Sequence, residues 1–436
     1  MGELENKNVL RSWKEIAAYL GVDVRTCYRW ENDRGMPVHR AVNGEKKSPV
    51  FAYKEELDAW FKEAFQSSRP PEVARSKRWR KWAWIGGSAV VLAAAVFSAV
   101  FILPRRQPSD FRIEGPVLIA LDQHNREMWR KDTKAEDLKL DQYYRDNFQV
   151  LHKDQANILP ALVIRDINGD GDNEVVFALV RERDQTGEGI IFCWDRRGEQ
   201  LWTFHAGRLL RCPKKVFSPD YRIAGFYCRD IDGDGKLETL VEAFQAPDWP
   251  CQLTLLDPAG KTIGEFWNAG YLRDVNFRDI NGDGREELIV CGVNNEYQGG
   301  ALIIFDTRTI SGGSPQSGDF ACAGIGPGSM LYYVRTPYLD ISRAMRDQVD
   351  GLRTIDVTNN DWIRCTAGNG ILYEFDFKLK CVQVSLGNGF KMTRYELLRS
   401  GAVENIPEDE YREMLRKSIL YWDGQGWTPE PTPVKR

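Results

Sequence analysis

The hydrophobic pattern changes character three times along the chain. Over the first 68 residues it has helical periodicity. Ser12-Trp13-Lys14-Glu15 has the form of a capping box, with Ser at the N-cap and Glu three residues on. Trp13, Ile16, Ala17 and Leu20 fall on one helical face, and Gly21 closes that helix. Asp23 caps a second helix, predicted over 24 to about 32, so a tight turn of Gly21 to Asp23 separates the two. Two β-like runs follow, over 38–42 and 50–53. Asn43-Gly44 opens the hairpin connection between them, and Lys46 and Lys47 make its tip basic. Leu57, Trp60, Phe61, Ala64 and Phe65 mark an amphipathic third helix.

The second pattern is an unbroken apolar run. Residues 82–103, WAWIGGSAVVLAAAVFSAVFIL, hold no charge, Asn, Gln or Pro over 22 positions. As a helix this run spans about 33 Å, enough for a hydrocarbon core of about 30 Å. Trp79, Trp82 and Trp84 stand at one end, where indoles favour the interface. This predicts one transmembrane helix over 82–103. A signal peptide is excluded by position, because a patterned segment precedes the run. Beyond 104 the pattern becomes short apolar runs with turn residues between them, an all-β signature.

Charge sharpens this division. The net charge of −4 averages over unlike parts. Residues 1–68 carry 11 Lys/Arg against 11 Asp/Glu, 69–81 six against one, and 104–436 42 against 51. The segment 69–81 is therefore a basic juxtamembrane linker. It has the composition of a nucleic-acid or localisation patch, but beside a span anionic headgroups are the simpler partner. Lys62, Arg69, Arg75, Lys77, Arg78, Arg80 and Lys81 precede the span, and only Arg105, Arg106 and Arg112 closely follow it. Positive charge stays inside, which predicts a single-pass bacterial inner-membrane protein with its N-terminus cytoplasmic and its C-terminus extracytoplasmic. Four histidines in 436 residues argue against a multi-histidine metal site or a His-driven hydrolase.

Helix-turn-helix, hairpin and helix, in that order, resemble the winged DNA-binding domain of the MerR/excisionase class. The stretches SWKEIAAYLGVDVRTCYRWENDRGMPVHR and VFAYKEELDAWF carry the likeness, over about residues 8–65. It implies a small α+β winged helix-turn-helix domain over 1–68 whose partner is double-stranded DNA. The second helix would enter the major groove, with Arg25, Thr26, Tyr28 and Arg29 contacting bases and phosphates. Arg40, Lys46 and Lys47 would hold phosphates. The head is neutral overall, but 25–47 holds six Lys/Arg against three Asp/Glu, so charge is polarised toward that face. Trp13, Trp30 and Trp60 follow the apolar stripes and are expected in the core.

In the third part three acidic segments repeat. They are Asp166-Ile-Asn-Gly-Asp-Gly-Asp-Asn-Glu174, Asp230-Ile-Asp-Gly-Asp-Gly-Lys-Leu-Glu238 and Asp279-Ile-Asn-Gly-Asp-Gly-Arg-Glu-Glu287. Each lies between apolar runs. Oxygens at positions 1, 3, 5 and 9 and a carbonyl at 7 suit Ca2+, a hard cation taking about six to eight oxygens. An EF-hand is excluded, because position 12 is Phe177, Val241 or Val290 and no helix pattern flanks the loops. The pattern instead resembles the FG-GAP/VCBS repeats of integrin-like β-propellers. That likeness implies Ca2+ at up to three structural sites. The ligands would be Asp166, Asn168, Asp170 and Glu174; Asp230, Asp232, Asp234 and Glu238; and Asp279, Asn281, Asp283 and Glu287. The carbonyls of Asp172, Lys236 and Arg285 would complete the sets. Family members usually carry Asp at position 9, where this chain has Glu.

A second signature interleaves with the loops. WDRRGEQLW (194–202) and LDPAGKTIGEFW (256–267) each have the form strand, Asp-x-x-Gly turn, strand; LDQHNREMW (121–129) is a weaker copy. Residues 371–387 and 420–429 look like degenerate copies, which suggests roughly five propeller blades over 104–436, although six or seven of about 40 residues each also fit the length. The segment near 117–130 would close the ring beside the last blade. A surface loop is expected over 312–328 and a helix near 408–420. Eight cysteines lie beyond the span, an even number that allows disulfides without indicating their connectivity.

The expected whole is a multidomain, membrane-anchored one-component transcriptional regulator. A cytoplasmic DNA-binding head is coupled to an all-β propeller-like ectodomain that meets an unidentified ligand or protein. A homodimer is expected, since helix-turn-helix proteins often bind paired half-sites and Gly86, Gly87, Ser88, Ala89 and Ala93 offer a small-residue packing patch. The alternative is an envelope adhesion or scaffold protein whose head makes protein contacts. An enzyme is not expected, because no nucleophile–base pair is visible.

Overall fold

A computed structural model describes residues 8–40, 49–66, 105–148, 160–182, 189–245, 250–346, 349–358 and 362–435. The predicted span 82–103, the basic linker 69–81 and the wing residues Lys46 and Lys47 lie outside the described residues. Among the described residues no helix is long and apolar enough to cross a membrane. The chain divides into two compact units, Met1–Pro104 and Arg105–Arg436.

The local signals of the first unit act as their chemistry dictates. Helix α1 (Trp13–Leu20) begins at Ser12, whose Oγ accepts the Glu15 N–H at 3.2 Å, while Glu15 reaches back to the Arg11 N–H at 2.8 Å. Gly21 ends it at φ 68°. Asp23 caps α2 (Val24–Arg34), accepting the Thr26 N–H at 2.8 Å and its hydroxyl at 2.9 Å. Helix α2 runs one half-turn past the predicted end and stops at Gly35. Strands His39–Arg40 and Val50–Tyr53 pair antiparallel, and α3 (Lys54–Gln66) follows. A strand at Val9–Leu10 also joins this sheet; two residues are too few to show an alternation in sequence. Ile16, Ala17, Cys27, Ala52 and Leu57 form the core, with Trp13, Trp30 and Trp60 packed round it as the apolar stripes require.

Among the described residues the second unit holds five mainly antiparallel sheets of three or more strands, numbered here in chain order, and a two-stranded ribbon of Leu210–Arg211 with Val216–Phe217. The first holds Asp110–Glu114, Val117–Leu121 and Glu127–Asp132. The second holds Leu162–Arg165, Glu174–Ala178, Ile190–Trp194 and Gln200–His205. The third holds Arg222–Arg229, Glu238–Phe244, Cys251–Leu256 and Thr262–Asn268, with Ser311–Gly313 added in parallel. The fourth begins with Leu272–Arg278, Glu287–Asn294 and Gly299–Asp306. The fifth holds Leu352–Val357, Trp362–Ala367, Ile371–Asp376 and Cys381–Leu386.

Alternation along each strand stacks these sheets. Val175 and Phe177 share a core with Phe111, Leu118 and Trp129 of the first sheet, while Val176 and Ala178 pack with Val241 and Ala243 of the third. In the fourth sheet Leu288 and Val290 face the third, and Ile289 and Cys291 face the fifth. Central strands are thus buried on both faces; all eight residues of Glu287–Asn294 are buried. Serial, face-to-face sheets of this kind make the unit propeller-like.

Two sequence expectations are corrected here. Residues 420–429 do not make a blade of their own: Leu420–Trp422 and Trp427–Thr428 extend the fourth sheet through Tyr332–Arg335. Residues 117–130 form their own first sheet, packed on the second rather than beside the last. The copy at 371–387 does supply two strands of the fifth sheet. Helices α4 (Asp141–Asp146), α5 (Asp340–Met345), α6 (Asn388–Arg399) and α7 (Glu408–Lys417) complete the unit, the last where the pattern predicted one. The segment 312–328 carries Cys322, disulfide-bonded to Cys212 across 110 residues of chain.

Candidate functional site

Each acidic loop joins the first two strands of a sheet, and the three share one geometry. The first aspartate gathers two backbone N–H groups: Asp166 from Gly169 (2.7 Å) and Gly171 (2.9 Å), Asp230 from Gly233 (2.7 Å) and Gly235 (3.0 Å), Asp279 from Gly282 (2.7 Å) and Gly284 (2.9 Å). The position-3 oxygens of Asn168, Asp232 and Asn281 accept from Asp170, Asp234 and Asp283 at 2.9, 3.1 and 2.8 Å. Asp170, Asp234 and Asp283 in turn accept from the N–H of Asp172, Lys236 and Arg285. This tight winding needs left-handed backbone at positions 4 and 6, where Gly169 and Gly171 have φ of 78° and 85°.

The position-9 glutamates sit differently. Glu174, Glu238 and Glu287 begin the second strand and are buried beneath their loops. Each gives one oxygen to the N–H of position 2, Ile167 (2.8 Å), Ile231 (2.9 Å) or Ile280 (3.0 Å). One oxygen is therefore committed to backbone and the other faces the loop interior, which favours a single bond to a cation. Burial, then the charge of the loop aspartates, pushes all three carboxyls up, Glu174 to about 7.

The donor set fits a hard divalent cation. In the second loop ligand oxygens of Asp230, Asp232 and Glu238 lie within 4.8 Å of one another, close enough for one Ca2+ with bonds of about 2.3–2.6 Å. Two loops substitute Asn for the position-3 acid, and the Asn168 and Asn281 amides donate to Glu174 and Glu287 at 3.3 and 2.6 Å. The position-7 side chains differ: Asp172 pairs outside its loop with Arg196 and Arg105, whereas Lys236 pairs with Asp234 of its own loop at 3.9 Å. Adjacent loops also touch. Leu237 N–H donates to the Ile167 carbonyl at 2.8 Å, and Arg229 pairs with Glu286. The nine-residue pattern in the chain does not reveal these links.

In the first unit Arg25, Tyr28 and Arg29 are exposed on one face of α2. Tyr28 leans on Trp13 at 4.2 Å. Thr26 is partly committed to capping through Asp23, and Arg40 pairs with Glu31 at 2.6 Å. The structure thus leaves Arg25 and Arg29 as the cations of this face with no ion pair among the described residues.

No protein-family model matches the chain, and no curated protein matches it. Among solved structures, a protein of unknown function from Bacteroides caccae is similar at 11% identity and a TM-score of 0.28, over 65% of this chain and 74% of that one. BamB from Moraxella catarrhalis is similar at 12% identity and a TM-score of 0.30, over 64% of this chain and 58% of its own. The Dos1 propeller gives 10% and 0.29, over 63% and 66%. The chain therefore spans less than two thirds of the last two. Likenesses at this level assign it no activity.

Proposed function

We propose that the chain is a membrane-anchored one-component transcriptional regulator. A cytoplasmic winged helix-turn-helix head binds double-stranded DNA, one helix over 82–103 crosses the membrane, and a Ca2+-stabilised propeller-like unit receives an extracytoplasmic ligand. The observation that carries the reading is the face of α2, where a capped helix after a tight turn presents Arg25, Tyr28 and Arg29 to solvent. The Cys212–Cys322 disulfide supports an oxidising surrounding for the second unit, while Cys27 of the first is a buried free thiol. A homodimer reading paired half-sites would carry the signal through a lone helix by a change in association.

Genome-wide recovery of DNA bound to the intact protein tests this directly. Discrete sites, lost in Arg25→Ala/Arg29→Ala, are expected, with affinity falling steeply with salt. Recovery of no enriched sites would favour the second reading, an envelope adhesion or scaffold protein whose head makes protein contacts. That reading draws support from Thr26 and Arg40, which are engaged within the head.

A further inference from the structure

Sheets three, four and five share an irregularity at the same place. The first strand of each slips against the second, between Ile223 and Gly225, between Leu272 and Asp274, and between Leu352 and Thr354. The residues left over are Ala224, Arg273 and Arg353. A bulge of this kind breaks the strand alternation and re-aims the extra side chain. All three extra residues line one cavity of about 410 Å3, together with Tyr143, Tyr271 and Glu242. Arg273 and Arg353 also wall a second cavity of about 440 Å3, so both stand between open spaces.

The charges are arranged for a guest. Two arginines of these sheets are paired within the protein, Arg229 with Glu286 and Arg364 with Glu374. Arg273 and Arg353 are exposed and form no ion pair among the described residues. The carboxylate next to Arg273 along the chain is turned elsewhere: Asp274 accepts the N–H of Val275 at 3.0 Å and of Ile355 at 2.7 Å. Arg273 lies over the Tyr271 ring at 4.6 Å, which holds its planar guanidinium in place. Two guanidiniums on neighbouring strands repel unless an anion joins them. The carboxylate of Glu242, buried on the same wall, repels a second anionic group and so disfavours a doubly charged guest.

We propose that this cavity binds a sugar acid, a small polyhydroxylated molecule with one carboxylate. Arg273 and Arg353 grip the carboxylate, and Tyr143 and Tyr271 meet the hydroxyls. This deepens the reading above by naming a ligand class for the second unit. Binding is measured without DNA, so either idea can fail alone.

The test is calorimetric titration of the full-length, detergent-solubilised chain with D-glucuronate, D-glucose and inorganic phosphate. Saturable binding of glucuronate is expected, with glucose and phosphate much weaker. Arg273→Gln and Arg353→Gln should each weaken glucuronate by roughly tenfold or more, the loss of a charge-assisted hydrogen bond. Arg112→Gln, a surface control paired with Glu114, should leave it unchanged. Ala224→Arg adds a third guanidinium at the equivalent bulge and should tighten binding. The proposal is overturned if glucuronate does not bind, if neither arginine variant matters while the variants melt like the parent, or if glucose or phosphate binds as tightly.

Discussion

The Trp202 indole covers Gly260: a Cβ at Gly260 would stand 2.4 Å from the ring, and the indole N–H donates to the Pro258 carbonyl at 3.1 Å. Trp202 closes the second sheet and Gly260 turns the hairpin of the third. The same relationship joins the first sheet to the second, where Trp129 covers Gly198 and donates to the Arg196 carbonyl at 3.2 Å. Each turn is itself held by its aspartate: Asp195 accepts the N–H of Arg197 and Glu199, and Asp257 those of Ala259 and Lys261. The repeated Asp-x-x-Gly turn is thus both a hairpin and the socket for the preceding sheet's tryptophan.

Gly260→Ala should therefore cost stability twice, through its φ of 79° and through the ring it would strike. A loss of about 2 kcal/mol or more is expected in urea unfolding. Trp202→Ala should cost about 3–5 kcal/mol. Wild-type midpoints in both variants would mean that the sheets are not coupled through this contact.

The acidic loops predict a metal dependence. Chelation with EDTA should lower the melting temperature, and Ca2+ should restore it better than Mg2+, which demands a stricter octahedron. At a hundredfold excess over the dissociation constant, one site contributes about 2.7 kcal/mol. Asp230→Ala should remove one site from the Ca2+ titration. Identical melting with and without chelator would count against bound metal.

Burial of Glu174 sets a pH dependence in the absence of Ca2+. Its carboxyl is held up at about 7 in the folded chain, against 4.5 when exposed. Below 4.5 both states carry the proton and the group is neutral to stability. Between these values the unfolded state has lost the proton that the folded state keeps, so stability falls as pH rises and the full penalty stands above about 7. Bound Ca2+ reverses the preference by favouring the carboxylate. Melting curves of metal-free protein should drop across this window and drop less in Glu174→Gln, with the remainder from the similarly raised Glu238 and Glu287, whereas a rise across it would contradict the assignment.

The Cys212–Cys322 link closes a loop of 110 residues. Cys212→Ser should cost about 2–5 kcal/mol, and reductant should bring the parent down to the variant. Equal stability with and without reductant would show that the link does not form.

What the chain alone determined is whatever lies within a few residues of itself. Ser12 and Asp23 cap helices three residues away, and Asp166 and Glu174 bracket a loop of nine residues, so residue types at fixed spacing were enough. The Asp-x-x-Gly turns were legible for the same reason. The tertiary structure decided everything that depends on which sheet meets which. Nothing near Gly260 in sequence points to Trp202, nothing near Cys212 selects Cys322 among the other cysteines, and strands from 332 and 420 complete a sheet begun at 272. The cavity arginines illustrate this most directly, because Arg273 and Arg353 are ordinary surface residues until a slip of one residue in each strand brings them to the same space. Register and long-range stacking follow from burying both faces of every sheet at once, a condition on the whole fold that no local pattern contains.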